Sequence, residues 1–408
     1  MTQTTNSASA VVIARQPVFD RHYQIYGYEL LFRAAGHHPK ADLSLFSADV
    51  ATSRVINYAF LELGIDRVIG KHIAFINLTR SFILNDEPIP ASQDKVILEV
   101  LEDIDVDSEL LEGIRRLKQQ GYLIALDDFV YHESLKPLIE LASIVKVDVL
   151  DLDEDTLREH VAELRQYDVK LLAEKVETLT DYQFCYELGF DYFQGFFFCR
   201  PDVIHDSPIP DNQLVLLQII QKLQEPDVEF KDIELLISKD AGLSYKLLRL
   251  LNSAALSLPR QINSIREGLV ILGLKAIKTW TTLIVMSEID YQPKELLDCS
   301  LIRAKMCESL AAAYDCSAES GFLVGLFSTI DAMLDRPMAT IIDPLPLSEA
   351  TKQALNSKRG DLGSLLQHVI YYEQGQWDEI SNEQVTLEQF SDVYIDAAEW
   401  ALKTKQAI

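Results

Sequence analysis

At five places along the chain a short apolar run of strand type leads into an acidic or amide side chain. These are Glu29 in YELLFR, Asn77 in HIAFINLT, Glu99 in KVILEV, Asp127 and Asp128 in YLIALDDF, and Glu174 with Glu177 in VKLLAEKVET. A carboxylate beside a buried strand is costly unless something compensates its charge. Donor sets made of Asp, Glu and Asn oxygens suit hard divalent ions such as Mg2+ or Mn2+, so the recurrence points to a metal site. Most members also have a plainer reading. Glu29 and Arg33 could form a surface ion pair, Asn77 could be a turn residue bonding its own backbone, and Lys146 could pair with Asp148 two positions on. Asp127 and Asp128 resist that treatment, because two like charges at a buried strand end repel unless neutralised.

Positioning such residues requires strands that end at one place. Strand-like runs rich in Val, Ile, Leu, Phe and Tyr occur at about 11–16, 24–32, 72–78, 95–101, 121–126, 143–148, 169–174 and 190–193. Between several of them lie amphipathic stretches, Leu43 to Leu63, Ser108 to Gln120, Asp155 to Tyr167 and Leu179 to Leu188, with apolar residues recurring at three and four. Repeated strand–helix units imply an α/β fold with a parallel sheet, open or closed into a TIM-like (β/α) barrel. In such a barrel the C-terminal strand ends converge on one mouth, and the candidate ligands all fall at such ends. Residues 1–10 are expected to be disordered, 11–202 to form the barrel domain, and 203–212, VIHDSPIPDN, to be a linker. Beyond it helical patterns take over, so 213–408 is expected to be all-helical.

Composition narrows the function classes. The 408 residues fit two domains of roughly 200 residues. A formal net charge of −26 disfavours nucleic acid, whose non-specific binding depends on Lys and Arg neutralising phosphates. Five cysteines with no CxxC pair argue against a disulfide framework and a thiolate zinc site, leaving reduced, buried thiols. No apolar run is expected to reach the ~18 residues that span a bilayer. The segment MTQTTNSASA lacks a basic residue ahead of its apolar stretch, so no signal peptide is expected and the expected address is the cytoplasm. His22, His37, His38, His72, His132, His160 and His205 share no ligand spacing on one helix face and are expected to be mostly solvated or loop residues. Tyr371, Tyr372 and Trp377 are expected to pack in a small cluster rather than to bind a partner.

The order of the first-half motifs resembles the EAL family of bacterial cyclic-di-GMP phosphodiesterases. The ExLxR signature stands as Glu29-Leu30-Leu31-Phe32-Arg33, the NxS-type strand end as Asn77-Leu78-Thr79, and the ExxE element as Glu99 to Glu102. The acidic pair opens DDFV at Asp127 and Asp128, followed by KVD at Lys146 and Asp148, AEKVET with Glu174 and Glu177, and QGFFFCRP with Gln194. The resemblance implies hydrolysis of cyclic-di-GMP to linear pGpG with two Mg2+ or Mn2+ ions. On that pattern Glu29, Asn77, Glu99 and Asp127 would hold one ion, Asp128 the second or both, and Glu174 would complete the shell. Lys146 would orient or deprotonate the attacking water, Glu177 would hold the loop, Gln194 would orient water or substrate, and Arg33 would meet a substrate phosphate.

The helical half resembles the HDOD domain through DAGLSYKLLRLLNSAALSLPRQINSIREGLVILGLKAI, 240–277. Its relatives among HD hydrolases need a His-Asp pair and further histidines. Here His368 is the one histidine past the linker, and Gly325-Leu326-Phe327-Ser328-Thr329-Ile330-Asp331 stands where the pair would be. That half is expected to regulate or to bind an unknown signalling protein, with a homodimer also possible. Two departures bear on turnover: the family's DFGTGYSSL loop reads Asp128-Phe129-Val130-Tyr131-His132-Glu133-Ser134-Leu135 without its glycines, and Lys175 replaces the glycine of AEGVE. Alternatives to an enzyme are a receptor that binds the dinucleotide without cleaving it, and a scaffold for proteins alone.

Overall fold

The computed structural model describes residues 11–34, 64–84, 89, 92–102, 104–195, 211–225, 227–238, 241–253, 262, 264–287, 289, 295–334, 336–382 and 384–407. The expected segments 1–10, 43–63 and 203–210 lie outside them. The chain divides into two compact units, Met1–Phe197 with Glu373–Asp378 and Thr386–Ser391, and Phe198–Tyr372 with Glu379–Val385 and Asp392–Ile408.

In the first unit eight strands close into a barrel in sequence order: β1 (Val11–Asp20), β2 (Ile25–Ala34), β3 (Ile73–Leu78), β4 (Val96–Val100), β5 (Leu123–Leu126), β6 (Ile144–Asp148), β7 (Lys170–Glu174) and β8 (Tyr192–Phe193). The strands from β2 onward pair in parallel, as expected from their helical crossovers. β1 departs from the expected parallel sheet, running antiparallel to both β2 and β8. The reason is local. Only residues 21–24 separate β1 from β2, enough for a tight turn but far short of the dozen or so a parallel crossover needs. Asp20 closes that turn, accepting from the backbone N–H of His22 and Gln24.

Side chains alternate along a strand, so every second residue faces the barrel axis. One apolar layer inside the barrel is made by Val18, Phe75, Ile97, Ala125, Ile144 and Leu172, with Tyr26, Ile73 and Tyr192 packed against it. Gly27 leaves room for this layer: a Cβ there would sit 2.9 Å from the Phe75 ring and 2.8 Å from the Ile73 carbonyl. Helices outside the barrel present apolar residues at three-and-four spacing; Leu157, His160, Val161 and Leu164 of the helix Glu154–Leu164 are all buried.

The second unit is helical throughout its described residues, beginning with Asp211–Gln224, so helix starts inside the stretch expected to be linker. Its longest early helix, Ile265–Ser287, has 23 residues and holds an 18-residue stretch of mean hydropathy 1.6, long and apolar enough by length and composition alone to cross a membrane. It is broken at Gly273, with φ 84° and ψ 165°. The pieces 265–272 and 274–287 each fall short of the ~20 residues a span requires. Among the described residues Cys185, Cys299, Cys307 and Cys316 form no disulfide. Tyr372 and Trp377 are buried, as packing residues are.

Candidate active site in the barrel mouth

One step of two residues above the apolar layer, the barrel lining turns polar. Asn77 follows Phe75, Glu99 follows Ile97, Asp127 follows Ala125, Lys146 follows Ile144 and Glu174 follows Leu172, each at the same interval on its own strand. Gln194 follows Tyr192 in the same way on the next strand. On the antiparallel strand the order reverses: Gln16 precedes Val18 and lies directly opposite Glu29, so the two share a face. All eight strands thus contribute to one polar layer. Gln16 was missed in the sequence because its signal, the antiparallel register of β1, is not visible without the pairing.

Lys146 sits at the centre of this layer. Its Nζ lies 3.2 Å from Glu29 Oε2, 2.9 Å from Glu99 Oε1, 2.5 Å from Asp127 Oδ1 and 3.0 Å from Glu174 Oε1. Gln194 Nε2 donates to Glu29 Oε2 at 2.7 Å. The plainer reading of Lys146 as the partner of Asp148 fails: Asp148 pairs instead with the Lys175 ammonium and accepts from the Leu150 N–H at 2.9 Å. Four carboxylates from four strands meet one ammonium, which leaves three negative charges uncompensated if all are ionised.

The titration of the cluster reflects that imbalance. Burial, only partly offset by Lys146, raises the Glu99 carboxyl well above its ordinary range and raises Asp127 too. Glu174 is pushed up to about 8, again mainly by burial. For Lys146 burial works against the charged form, but the four carboxylates outweigh it and hold the ammonium well above its ordinary value. Protonation of a carboxyl would relieve both the burial cost and the mutual repulsion.

A divalent cation would relieve it equally, and the donors fit one. Asn77 Oδ1, Glu99 Oε2, Glu174 Oε2 and Gln194 Oε1 are buried acceptors without a hydrogen-bond partner. Oxygen acceptors left over beside excess negative charge are the chemistry a hard cation uses. Among the described residues no group of three or more His, Cys, Asp or Glu side chains forms a bare cage for a metal ion. In the barrel the physical reason is that the carboxylates converge on the Lys146 ammonium itself.

The other candidates lie around this centre. Asp128 is half-buried with φ 42°, and it makes no ion pair with Lys146. Glu177 is half-buried three residues past β7, without a hydrogen bond to the lysine cluster among the described residues. Arg33 lies opposite Val12 in the β1–β2 ladder, and its side chain falls outside the described part. Lys175 holds a left-handed backbone, φ 55°, a conformation that suits glycine better. His37, His38 and His205 lie outside the described residues. His22 and His132 are exposed and His72 half-buried, but His160 is buried, correcting its expected place among solvated residues.

In the helical unit His368 bonds the Tyr314 hydroxyl at 2.7 Å. Over 325–331, Ser328 donates to the Gly325 carbonyl at 2.7 Å and Thr329 to the Leu296 carbonyl at 3.3 Å.

Known proteins agree with this division. The EAL domain family matches residues 70–201 and the HDOD domain family residues 209–342. The cyclic di-GMP phosphodiesterase CdgJ of Vibrio cholerae is 33% identical over 398 residues, covering 95% of this chain and 92% of that protein. The chain belongs to the EAL–HDOD family. YuxH of Bacillus subtilis, an uncharacterized protein, is 31% identical over 408 residues, covering 96% of this chain and 98% of its own. The crystal structure of Bacillus subtilis YkuI, an EAL-domain protein in complex with c-di-GMP and calcium, is 18% identical with a TM-score of 0.39, covering 56% of this chain and 71% of that one. The EAL match begins after Glu29, yet the Glu29 carboxylate meets Lys146 and Gln194 and so joins the EAL–HDOD chain's polar layer.

Proposed function

We propose that the chain hydrolyses cyclic-di-GMP to linear pGpG in the barrel mouth; its relative CdgJ is by name a cyclic di-GMP phosphodiesterase. The observation that carries the reading is the convergence of Glu29, Glu99, Asp127 and Glu174 on one point, with acceptors of Asn77, Glu99 and Glu174 unspent. Mg2+ or Mn2+ held by Glu29, Asn77, Glu99, Asp127, Asp128 and Glu174 would make a water acidic and offset phosphate charge. Lys146, held as an ammonium, cannot take a proton; its part is to orient the attacking water and shield the approaching phosphodiester. Gln194, tied to Glu29, holds that carboxylate and presents its free Oε1 to water or substrate. Arg33 serves a phosphate and Glu177 the loop after β7.

A receptor that binds the dinucleotide uncut is the second reading, favoured by Lys146 lying among the carboxylates. The boundaries 11–202 and 213–408 stand as our domain assignment, with the helical unit as a regulatory module for a signalling protein. The test is incubation of the purified chain with cyclic-di-GMP and Mg2+ or Mn2+, following linear product by chromatography beside Glu29→Ala. Product from the wild type alone supports hydrolysis. Tight binding without product in either metal supports the receptor.

A further inference from the structure

The backbone that carries Asp127 and Asp128 runs into a loop without glycine, and one side chain outside the loop braces it. His160 lies on the buried face of the helix Glu154–Leu164, which is anchored at its start by Asp153 accepting from the Thr156 N–H. Its Nε2 is 3.1 Å from the Phe129 carbonyl, and its Nδ1 is 3.4 Å from the Tyr131 N–H. A carbonyl only accepts and a backbone N–H only donates, so both contacts together require the neutral ring with its proton on Nε2. The rings of Phe129 and Tyr131 flank the imidazole, each with its centroid 6.4 Å away. Phe129 is held from the barrel side as well, its N–H donating to the Lys146 carbonyl at 3.0 Å.

We propose that His160 is a positioning residue for the barrel site: it clamps residues 129–131 and thereby fixes Asp128 in its left-handed backbone, φ 42°, at the mouth. The proposal rests on the hydrolytic reading above. Its logic is that a strained, non-glycine conformation persists only where its surroundings over-determine it. Backbone bonds from Lys146 on one side and the imidazole on the other supply that determination.

The test compares full-length wild type with His160→Leu, which keeps apolar volume without either bond, and His160→Gln, whose amide offers one donor and one acceptor. The expected result in His160→Leu is faster amide exchange confined to 129–131 and ~10–100-fold lower kcat, with KM for cyclic-di-GMP near the wild-type value and partial recovery in His160→Gln. Long-range nitrogen–proton NMR on the wild type should show the Nε2–H tautomer. Unchanged exchange in His160→Leu overturns the brace. Faster exchange with unchanged kcat overturns the positioning role while leaving the hydrolytic reading intact. A wild type that neither cleaves nor binds cyclic-di-GMP sinks that reading and the positioning role with it, whereas the exchange data still judge the brace. If His160→Leu is too unstable to assay, His160→Gln decides beside His160→Ala: slower exchange at 129–131 and higher kcat than in His160→Ala support the clamp, and exchange as fast and kcat as low as in His160→Ala overturn it.

Discussion

The barrel mouth and the segment 325–331 of the helical unit are two places where a metal hydrolase could be sought, and they treat their polar atoms in opposite ways. In the helical unit the hydroxyls of Ser328 and Thr329 are spent on the carbonyls of Gly325 and Leu296. None of the buried acceptors left without a partner belongs to that segment. In the barrel, buried oxygens of Asn77, Glu99, Glu174 and Gln194 are left over beside a surplus of negative charge. Polar atoms that satisfy one another hold a fold together; buried charge left unsatisfied lowers stability and is retained where a ligand uses it.

The largest effect is expected on removing the barrel's own cation. Lys146→Met leaves four carboxylates facing one another and should cost about 3–5 kcal/mol in chemical denaturation without metal. Mn2+ should restore part of that loss; a variant as stable as wild type would show that the carboxylates are not electrostatically coupled. Next in size, Glu99→Gln should lower turnover of cyclic-di-GMP by about 10²–10³-fold while leaving the melting temperature unchanged or raised. A fall in both would make Glu99 a structural residue.

The protonation state of Glu174 gives a third test. Its folded carboxyl titrates at about 8 against an ordinary 4.5, so folding takes up a proton between those values. Its contribution to stability is therefore full below the ordinary value and is lost as pH rises to about 8. Metal binding must displace that proton. Mn2+ affinity, measured by calorimetry, should accordingly rise about tenfold per pH unit below the Glu174 value and flatten above it. A flat affinity profile would place the proton elsewhere. The smallest effect belongs to the helical unit: Thr329→Val should cost about 1 kcal/mol of stability and leave turnover unchanged.

Much of the barrel was legible in the sequence because strand-forming runs repeat in order, several of them leading into a carboxylate or amide, and each observed strand falls on one of those runs. Asn77, Glu99, Asp127 and Glu174 could be picked out for the same reason: a carboxylate or amide after three to five apolar residues is conspicuous in one dimension. Three things were not legible. The antiparallel entry of β1 depended on a four-residue turn, and with it went the placement of Gln16 opposite Glu29. The choice of Lys146 among alternatives depended on distances to residues as far as 117 positions away. His160, one histidine among several, acquired its role only from the carbonyl and N–H of a loop on another element.

By itself the sequence determined that apolar strands would carry oxygen donors to their ends and that the helical half would lack metal-binding histidines, because both follow from residue type and local spacing. The tertiary structure decided which lysine those donors share, which loop is braced and which strand runs backward. Those are properties of closure, in which strand tilt and register bring side chains from distant positions to one level, and electrostatic coupling depends on the resulting separation rather than on order along the chain.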